Sequence, residues 1–328
     1  MKKLVIFMVV VLLICGCTAK EPPRDDTDDE NMVEIEPIVV EDKEPIEQAE
    51  AEEPYEPVGV MIENSTAARP QSGLIDADVV YEVYVEGGIT RFLALFNSKY
   101  PEVVGPVRSV RHYYLDIAQE WDAYLVHYGG SPLAKAQFDK VAIKRIDGMI
   151  DTNRFWRDSS RKSPHNAYID IAQCRELIDF EQNIREIKFS ETAPSTGEAY
   201  STVIIPYTSK SYKVEYRYDE KLGENMRFVG DVPFIDRESE QQLSIDNIVI
   251  QYARHERTKN KVGYKEVELF GSGRAQYFIG GKFYEGTWER SDAESPTHFL
   301  NESGEEIEFM PGNVWIHIVP TNMNVTVK

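Results

Sequence analysis

The sequence predicts an α+β protein, with a mixed α/β N-terminal domain followed by a mainly antiparallel β C-terminal domain. Apolar strand-like runs alternate with helical patterns up to about residue 190, which is typical of a mixed domain. Beyond that point short strand-like runs are broken by Gly, Asn, Pro and charged residues, and no long helical pattern follows. With 328 residues, of which 42% are hydrophobic, the chain is long enough for two globular units.

Residues 1–17 have the three regions of a bacterial export signal. Two lysines precede an apolar run, Leu4 to Ile14, that is too short to span a bilayer comfortably. The end of the signal, Gly16-Cys17, resembles a lipobox, in which the cysteine receives a diacylglycerol and becomes the mature N-terminus. We predict that Cys17 anchors the protein in the cell membrane, on its extracytoplasmic face; cleavage of a plain secretory signal is the alternative.

Residues 18–57 are predicted to be a disordered, acidic, proline-rich tether. They contain 16 Asp/Glu against 3 Lys/Arg, six prolines and no glycine. Such a segment cannot bury enough apolar surface to fold. The net charge of the whole chain, −20, argues against a nucleic-acid partner.

The N-terminal domain is assigned to residues 58–195, and its clearest element is a hairpin. Two strand-like runs, 79–86 and 89–96, flank Gly87-Gly88, which fits a two-residue turn. Helices are predicted after Ser109, after Ser131 and over residues 169–180, the first two with serine caps. The stretch from Glu191 to Ser201 marks the boundary, and the β-rich C-terminal domain is assigned to residues 196–328.

The hairpin suggests a first candidate site. A two-residue turn places Glu82, Tyr84 and Glu86 on one sheet face, with Arg91 between the two carboxylates. The glutamates are too far apart along one strand for a glycosidase pair. They fit either a ladder of ion pairs or the polar wall of a binding cleft.

Arg108 and Arg111 flank the predicted helix start at Ser109. Cations are disfavoured at a helix N-terminus, so this pair calls for an anion. The anion is either an internal carboxylate, such as Glu82 or Glu86, or a carboxylate or phosphate of a ligand.

A second basic segment runs from Lys144 to His165, with six Lys/Arg against three Asp and with Phe155 and Trp156 among them. Basic groups beside aromatic rings suit anionic or sugar-containing polymers. Arg157, His165 and Asn166 are its candidate ligand-binding residues. A solvated charged loop is the alternative.

Three residues are candidates for a catalytic role. His127 ends a predicted strand and His165 lies in a loop, where either ring could act as an acid or base. Asp158 is a candidate carboxylate. The histidines show no metal-ligand spacing, so we predict neither a metal site nor a cofactor.

An ordered series of motifs runs through residues 58–328. The motifs are Arg69-Pro70-Gln71-Ser72-Gly73, Glu86 to Phe92, Gly105 to Arg111, His127 to Ser131, Ser163-Pro164-His165-Asn166, Gly271 to Ala275 and Pro311 to Ile316. Together they resemble the YerB-like family of bacterial lipoproteins. That family is one of unknown function, so the resemblance implies a lipoprotein and supplies no activity, ligand or catalytic residue.

Three functional hypotheses follow from the sequence. The leading one is a membrane-anchored protein that binds an anionic cell-envelope component through Arg91, Arg108, Arg111 and the segment from Arg157 to His165. The second is a hydrolase or transferase that acts on an envelope polymer. The third is a scaffold that docks an envelope protein through the β-rich half.

Overall fold

A computed structural model describes residues 55–141, 143–178, 185, 187–259 and 262–328. These residues belong to one compact unit. The predicted export signal, the predicted lipidation site Cys17 and residues 18–54 of the predicted tether lie outside the described residues. No helix in the described part of the chain is long and apolar enough to cross a bilayer.

Strands dominate the described residues, and the helices are few and short. The helices are α1 (His112–Glu120), α2 (Pro132–Lys135) and α3 (Ala172–Arg175). In the N-terminal half the strands are β1 (Val58–Glu63), β2 (Val79–Tyr84), β3 (Thr90–Phe96), β4 (Tyr124–His127), β5 (Arg145–Asp147), β6 (Phe155–Arg157) and β7 (Ala167–Ile169). In the C-terminal half they are β8 (Glu198–Ala199), β9 (Thr202–Pro206), β10 (Lys213–Asp219), β11 (Glu224–Val229), β12 (Val232–Pro233), β13 (Ser244–Ile245), β14 (Asn247–Ala253), β15 (His255–Arg257), β16 (Lys265–Val267), β17 (Gly271–Ile279), β18 (Lys282–Arg290), β19 (His298–Asn301), β20 (Val314–Pro320) and β21 (Thr326–Val327).

A large mixed sheet runs through the whole compact unit. Its strand order is β19-β18-β17-β14-β20-β2-β3-β1-β4-β5, with β8 paired to β18. A second sheet has the order β12-β11-β10-β9-β21, with β13 paired to β11. Two short antiparallel pairs, β6 with β7 and β15 with β16, complete the described strands.

The large sheet separates two layers of core. Because successive side chains of a strand point to opposite faces, each central strand supplies both layers. On one face Val60 and Phe92 share a cluster with Ile205 and Tyr216 of the second sheet. On the other face Leu93 and its neighbours share a cluster with α1. The second sheet, the large sheet and α1 therefore form three successive layers.

The predicted boundary between residues 195 and 196 does not separate two sheets. β2 of the N-terminal half pairs in parallel with β20 of the C-terminal half, so that Val79 lies opposite Val314. The C-terminal half is mainly antiparallel, and β14 with β20 is the parallel pair between its described strands. Strand-like runs predict where strands occur, but they do not indicate partners that lie more than 200 residues apart.

The hairpin forms, but its predicted register is wrong by one residue. The turn is a three-residue 3-10 segment, Glu86–Gly88, with positive φ at Gly87 and Gly88, and the backbone N–H of Val85 donates to Ile89. Glu82 therefore lies opposite Phe92, and Val83 lies opposite Arg91. Because a shift of one residue moves a side chain to the other face, Glu82 and Arg91 lie on opposite faces of the sheet.

The helices are shorter than predicted. The first begins at His112, and Ser109 does not cap it, because its hydroxyl donates to the carbonyl of Tyr128. The second is capped as predicted, since Ser131 Oγ accepts from the backbone N–H of Ala134 at 3.1 Å. The third helix is confined to Ala172–Arg175, because residue 169 belongs to β7; residues 179 and 180 lie outside the described part.

Candidate functional site

A surface pocket of about 340 Å³ lies beyond the end of β4. Separate segments of the N-terminal half form its wall, which includes three cationic side chains and no carboxylate. Gly129 makes the turn after β4 with a φ of +72°, and its N–H donates to Asp147 Oδ1 at 2.7 Å. The lining residues are Val107, Arg108, Ser109, Tyr128, Gly129, Gly130, Lys135, Met149, Arg157 and Pro164.

Arg108 is held in the wall by its backbone. Its N–H donates to the carbonyl of Met61 at 2.8 Å, and its own carbonyl accepts from Tyr128 N–H at 3.0 Å. Its guanidinium Nε lies 3.2 Å from Oε2 of the buried Glu63, but the two atoms do not form an aligned hydrogen bond. The Arg108 guanidinium thus donates no hydrogen bond to any residue that the structure describes; its Nε is buried against Glu63, and its two Nη groups remain available to a ligand.

Arg157 is oriented by neutral groups. Its Nη1 donates to Oδ1 of Asn166 at 2.9 Å, and its guanidinium lies 4.5 Å from the centre of the Tyr128 ring. Asn166 is 7% exposed and is itself fixed by hydrogen bonds to the carbonyls of Asp158 and Arg161. Arg157 and Asn166 were both predicted from the sequence to bind a ligand; in the structure Asn166 positions Arg157.

The charge of the pocket is not neutralised from within. Lys135 and Arg157 are both exposed, and neither has a carboxylate partner among the described residues. Glu63 is the only acidic group in the described part that pairs with Arg108. Guanidinium and ammonium groups with free donors bind phosphate or carboxylate groups. Tyr128, Met149 and Pro164 add an apolar wall, so the pocket suits an anion attached to an apolar or ring-shaped moiety.

His165 lies beside this pocket, next to Pro164. Its Nδ1 is 2.9 Å from Oε1 of Glu63, and Ser65 Oγ donates to the same carboxylate oxygen at 2.8 Å. The other ring nitrogen, Nε2, has no hydrogen bond to a described residue. A buried carboxylate that holds one nitrogen of a partly exposed histidine fixes its tautomer and leaves the second nitrogen free.

Arg91, Arg111 and Glu86 form a second cluster, and none of the three lines the pocket. Arg111 donates to both carboxylate oxygens of Glu86, and Arg91 donates to the carbonyl of Ser109. Burial raises the pKa of Glu86, but the hydrogen bonds from Arg111 outweigh this effect and hold the pKa below its usual value. Burial and the neighbouring Arg111 lower the pKa of Arg91 to about 10. Of the two alternatives for Arg111, the structure shows the internal one, with Glu86 as its carboxylate.

Glu82 belongs to the core and is no part of a surface site. It is 1% exposed and pairs with Arg227 of β11, Nη2 to Oε2, at 2.7 Å. Its other oxygen accepts from Thr90 Oγ1 at 2.6 Å. The same network includes His317, whose two ring nitrogens contact the hydroxyls of Tyr207 and Tyr216 at 3.0 and 2.7 Å. The expected place of Glu82 in a binding cleft is therefore corrected, because the second sheet covers this face of the hairpin.

The remaining candidates make internal contacts. His127 is fully buried, its Nδ1 lies 2.9 Å from the carbonyl of Gly129, and burial lowers its pKa. Asp158 pairs with Arg237, and hydrogen bonds from Ser160 and Arg237 lower its pKa to about 2. Neither His127 nor Asp158 lines the pocket, so neither is placed to act there as an acid or base.

The basic segment does not act as one surface. Arg157 lines the pocket, whereas Arg154 pairs with Asp151 at 2.6 Å. Arg161 donates to the carbonyls of Ala67 and Pro70. Among the described residues, no group of three or more His, Cys, Asp or Glu side chains could hold a metal ion.

The buried histidine predicts a pH-dependent stability. Burial lowers the pKa of His317 to about 3, so the ring stays neutral where an unfolded histidine, with a pKa of about 6.5, binds a proton. Below about pH 6.5 the unfolded chain therefore binds more protons, and the free energy of unfolding falls by up to about 1.4 kcal/mol per pH unit. Urea unfolding at pH 7 and pH 5 should show this fall, and His317→Gln should reduce it. An equal fall in the two proteins would contradict the assignment.

Most of the chain matches the two domain models of one protein family. Residues 45–185 match the family described as "Protein of unknown function (DUF3048) N-terminal domain", and residues 203–316 match the corresponding C-terminal domain. The chain is 34% identical over 273 residues to "Putative lipoprotein YerB" of Bacillus subtilis, which covers 80% of this chain and 81% of the relative. The chain belongs to the YerB-like family.

A solved structure supports the same conclusion. The crystal structure of the YerB protein from Bacillus subtilis superposes with a TM-score of 0.75 at 34% identity, covering 84% of this chain and 94% of that chain. The predicted YerB-like resemblance is therefore confirmed. The family description assigns no function, so the pocket must be interpreted from its own chemistry.

Two residues that shape the site, Glu63 and Lys135, were not predicted from the sequence. Glu63 could have been identified, because it is a carboxylate at the end of an otherwise apolar buried strand. Nothing in the sequence distinguishes Lys135, since a lysine in the last turn of a short helix is ordinary. Arg227 was also missed, although it shares the buried face of β11 with Asn225 and Val229.

Proposed function

We propose that this YerB-like protein is lipid-anchored on the extracytoplasmic face of the cell membrane and binds an anionic component of the cell envelope. The export signal, the lipobox-like Gly16-Cys17 and the name of the Bacillus subtilis relative support the anchor. The observation that carries the binding proposal is the pocket of Arg108, Lys135 and Arg157, in which two cations lack a carboxylate partner among the described residues.

The arrangement differs from the site expected from sequence. Arg91 and Arg111 are engaged with Glu86 and with backbone carbonyls, so they belong to the scaffold. Arg108 and Arg157 line one pocket from different segments, and the ring of Tyr128, which lies 4.5 Å from the Arg157 guanidinium, belongs to the same lining. A phosphate or carboxylate in this pocket would meet preoriented donors, which reduces the entropic cost of binding.

The experiment uses soluble polyphosphate as the probe and the unlipidated chain from residue 18 onwards, which retains the whole compact unit. Isothermal titration calorimetry should show binding that weakens as salt is raised, because cationic side chains displace counterions from a polyanion. Soluble polyphosphate that fails to bind at low salt would contradict the proposal. Binding that is independent of salt would also contradict it.

A second candidate function rests on the Glu63–His165 pair. A histidine whose Nδ1 is held by a buried carboxylate, with a free Nε2 beside an anion pocket, has the arrangement of a general base. Incubation with isolated cell walls would release soluble fragments if the protein is a hydrolase. The release must disappear in His165→Ala while circular dichroism stays unchanged.

A further inference from the structure

An exposed apolar ridge borders the cationic pocket. Met149 and Ile150, the two ridge residues, are 62% and 84% exposed, and Ile150 is the most exposed large apolar residue in the described part. The backbone that carries these two exposed side chains is held in place by hydrogen bonds. The side chain and carbonyl of Asp147 accept hydrogen bonds from the backbone N–H groups of Met149, Ile150 and Asp151 at 2.8 to 3.0 Å.

The ridge stands between two depressions of different charge. Met149 lines the pocket of Arg108, Lys135 and Arg157. On the other side Ile150 lines a depression of about 450 Å³ that has two arginines and two aspartates, and is therefore balanced in charge. An ordered apolar ridge beside a site for anions matches the boundary between acyl chains and headgroups better than it matches a soluble polymer.

The predicted lipid anchor at Cys17 would tie the folded unit to a bilayer surface, where anionic headgroups are the phosphate groups nearest to the pocket.

We propose that the Met149-Ile150 ridge enters the interface of an anionic bilayer while Arg108, Lys135 and Arg157 hold the phosphate of a lipid headgroup. This inference rests on the proposed function, for which it names the ligand as a membrane phospholipid. Cations in the pocket supply attraction to the surface, and the ridge supplies apolar contact.

The test is sedimentation of the unlipidated chain, from residue 18 onwards, with vesicles of phosphatidylcholine, with and without phosphatidylglycerol. The wild type should bind only the anionic vesicles. Ile150→Ser should weaken this binding about tenfold, because less apolar surface enters the interface, and should leave polyphosphate binding unchanged, since Ile150 does not line the pocket. Leu222→Ser is the matched control, since Leu222 is 60% exposed elsewhere.

A further variant gives a signal of insertion. Ile150→Trp should retain vesicle binding, and its added fluorescence should be quenched by brominated phosphatidylglycerol. Binding to polyphosphate without binding to anionic vesicles would overturn the bilayer inference and leave the anion pocket intact. Equal vesicle binding by the wild type and the Ser variant would also overturn it. Failure to bind either probe would contradict the proposed function itself.

Discussion

Replacement of Arg227 by alanine should destabilise the protein by about 3–5 kcal/mol, because it leaves the buried carboxylate of Glu82 without its charge partner. The side chain of Arg227 is fully buried and also fills space among the rings of Phe234 and Trp315, with its guanidinium 4.9 and 4.4 Å from their centres. Truncation therefore removes packing in addition to charge.

Urea unfolding monitored by circular dichroism measures this effect. Arg217→Ala is the matched control, because Arg217 pairs with Glu215 at the surface and its side chain is 49% exposed. Such an exposed pair contributes about 1 kcal/mol or less. If Arg227→Ala lowered the free energy of unfolding by no more than Arg217→Ala does, the buried network could not contribute substantially to the stability of the two-sheet core.

Loss of the two pocket arginines should nearly abolish anion binding. Hydrogen bonds between ionised partners contribute about 1.5–3 kcal/mol each, so Arg108→Ala with Arg157→Ala should weaken binding of soluble polyphosphate about 100-fold or more. The dependence of affinity on salt should also become shallower, since fewer cations meet the polyanion. Calorimetric titrations at several salt concentrations measure both effects.

The control for this prediction removes the same charge elsewhere. Arg254→Ala with Arg274→Ala deletes two arginines whose side chains are 64% and 50% exposed, outside the pocket. Equal losses in the two double variants would show that net charge, and not the pocket, governs binding. Should Arg108→Ala impair folding, Lys135→Ala with Arg157→Ala makes the same comparison, because neither side chain has a carboxylate partner among the described residues.

Local patterns predicted much of the secondary structure. The apolar run at Val58, the hairpin around Gly87-Gly88 and the capped helix after Ser131 all occur. The register of the hairpin was missed because a third turn residue shifts every facing pair by one, and composition does not distinguish a two-residue turn from a three-residue one. That single residue changed the expected partners of Glu82 and Arg91.

The site was predictable only in part, because its members come together through tertiary structure. Arg108 and Arg157 were identified from charge, but nothing local indicated that Lys135 joins them in one pocket. Glu82 looked like a surface ligand residue because its partner, Arg227, lies 145 positions further along the chain. Charge patterns show which residues need a partner, and only the fold shows whether that partner is internal.

The most direct test of the anion pocket is nuclear magnetic resonance of the arginine Nε–H groups during titration with soluble polyphosphate. We expect saturable shifts of the Arg108 and Arg157 signals, assigned through the single alanine variants, while the signals of Arg254 and Arg274 stay in place. Signals of Arg108 and Arg157 that do not move, or that move no more than those of the two control arginines, would contradict the central claim that this pocket binds an anion.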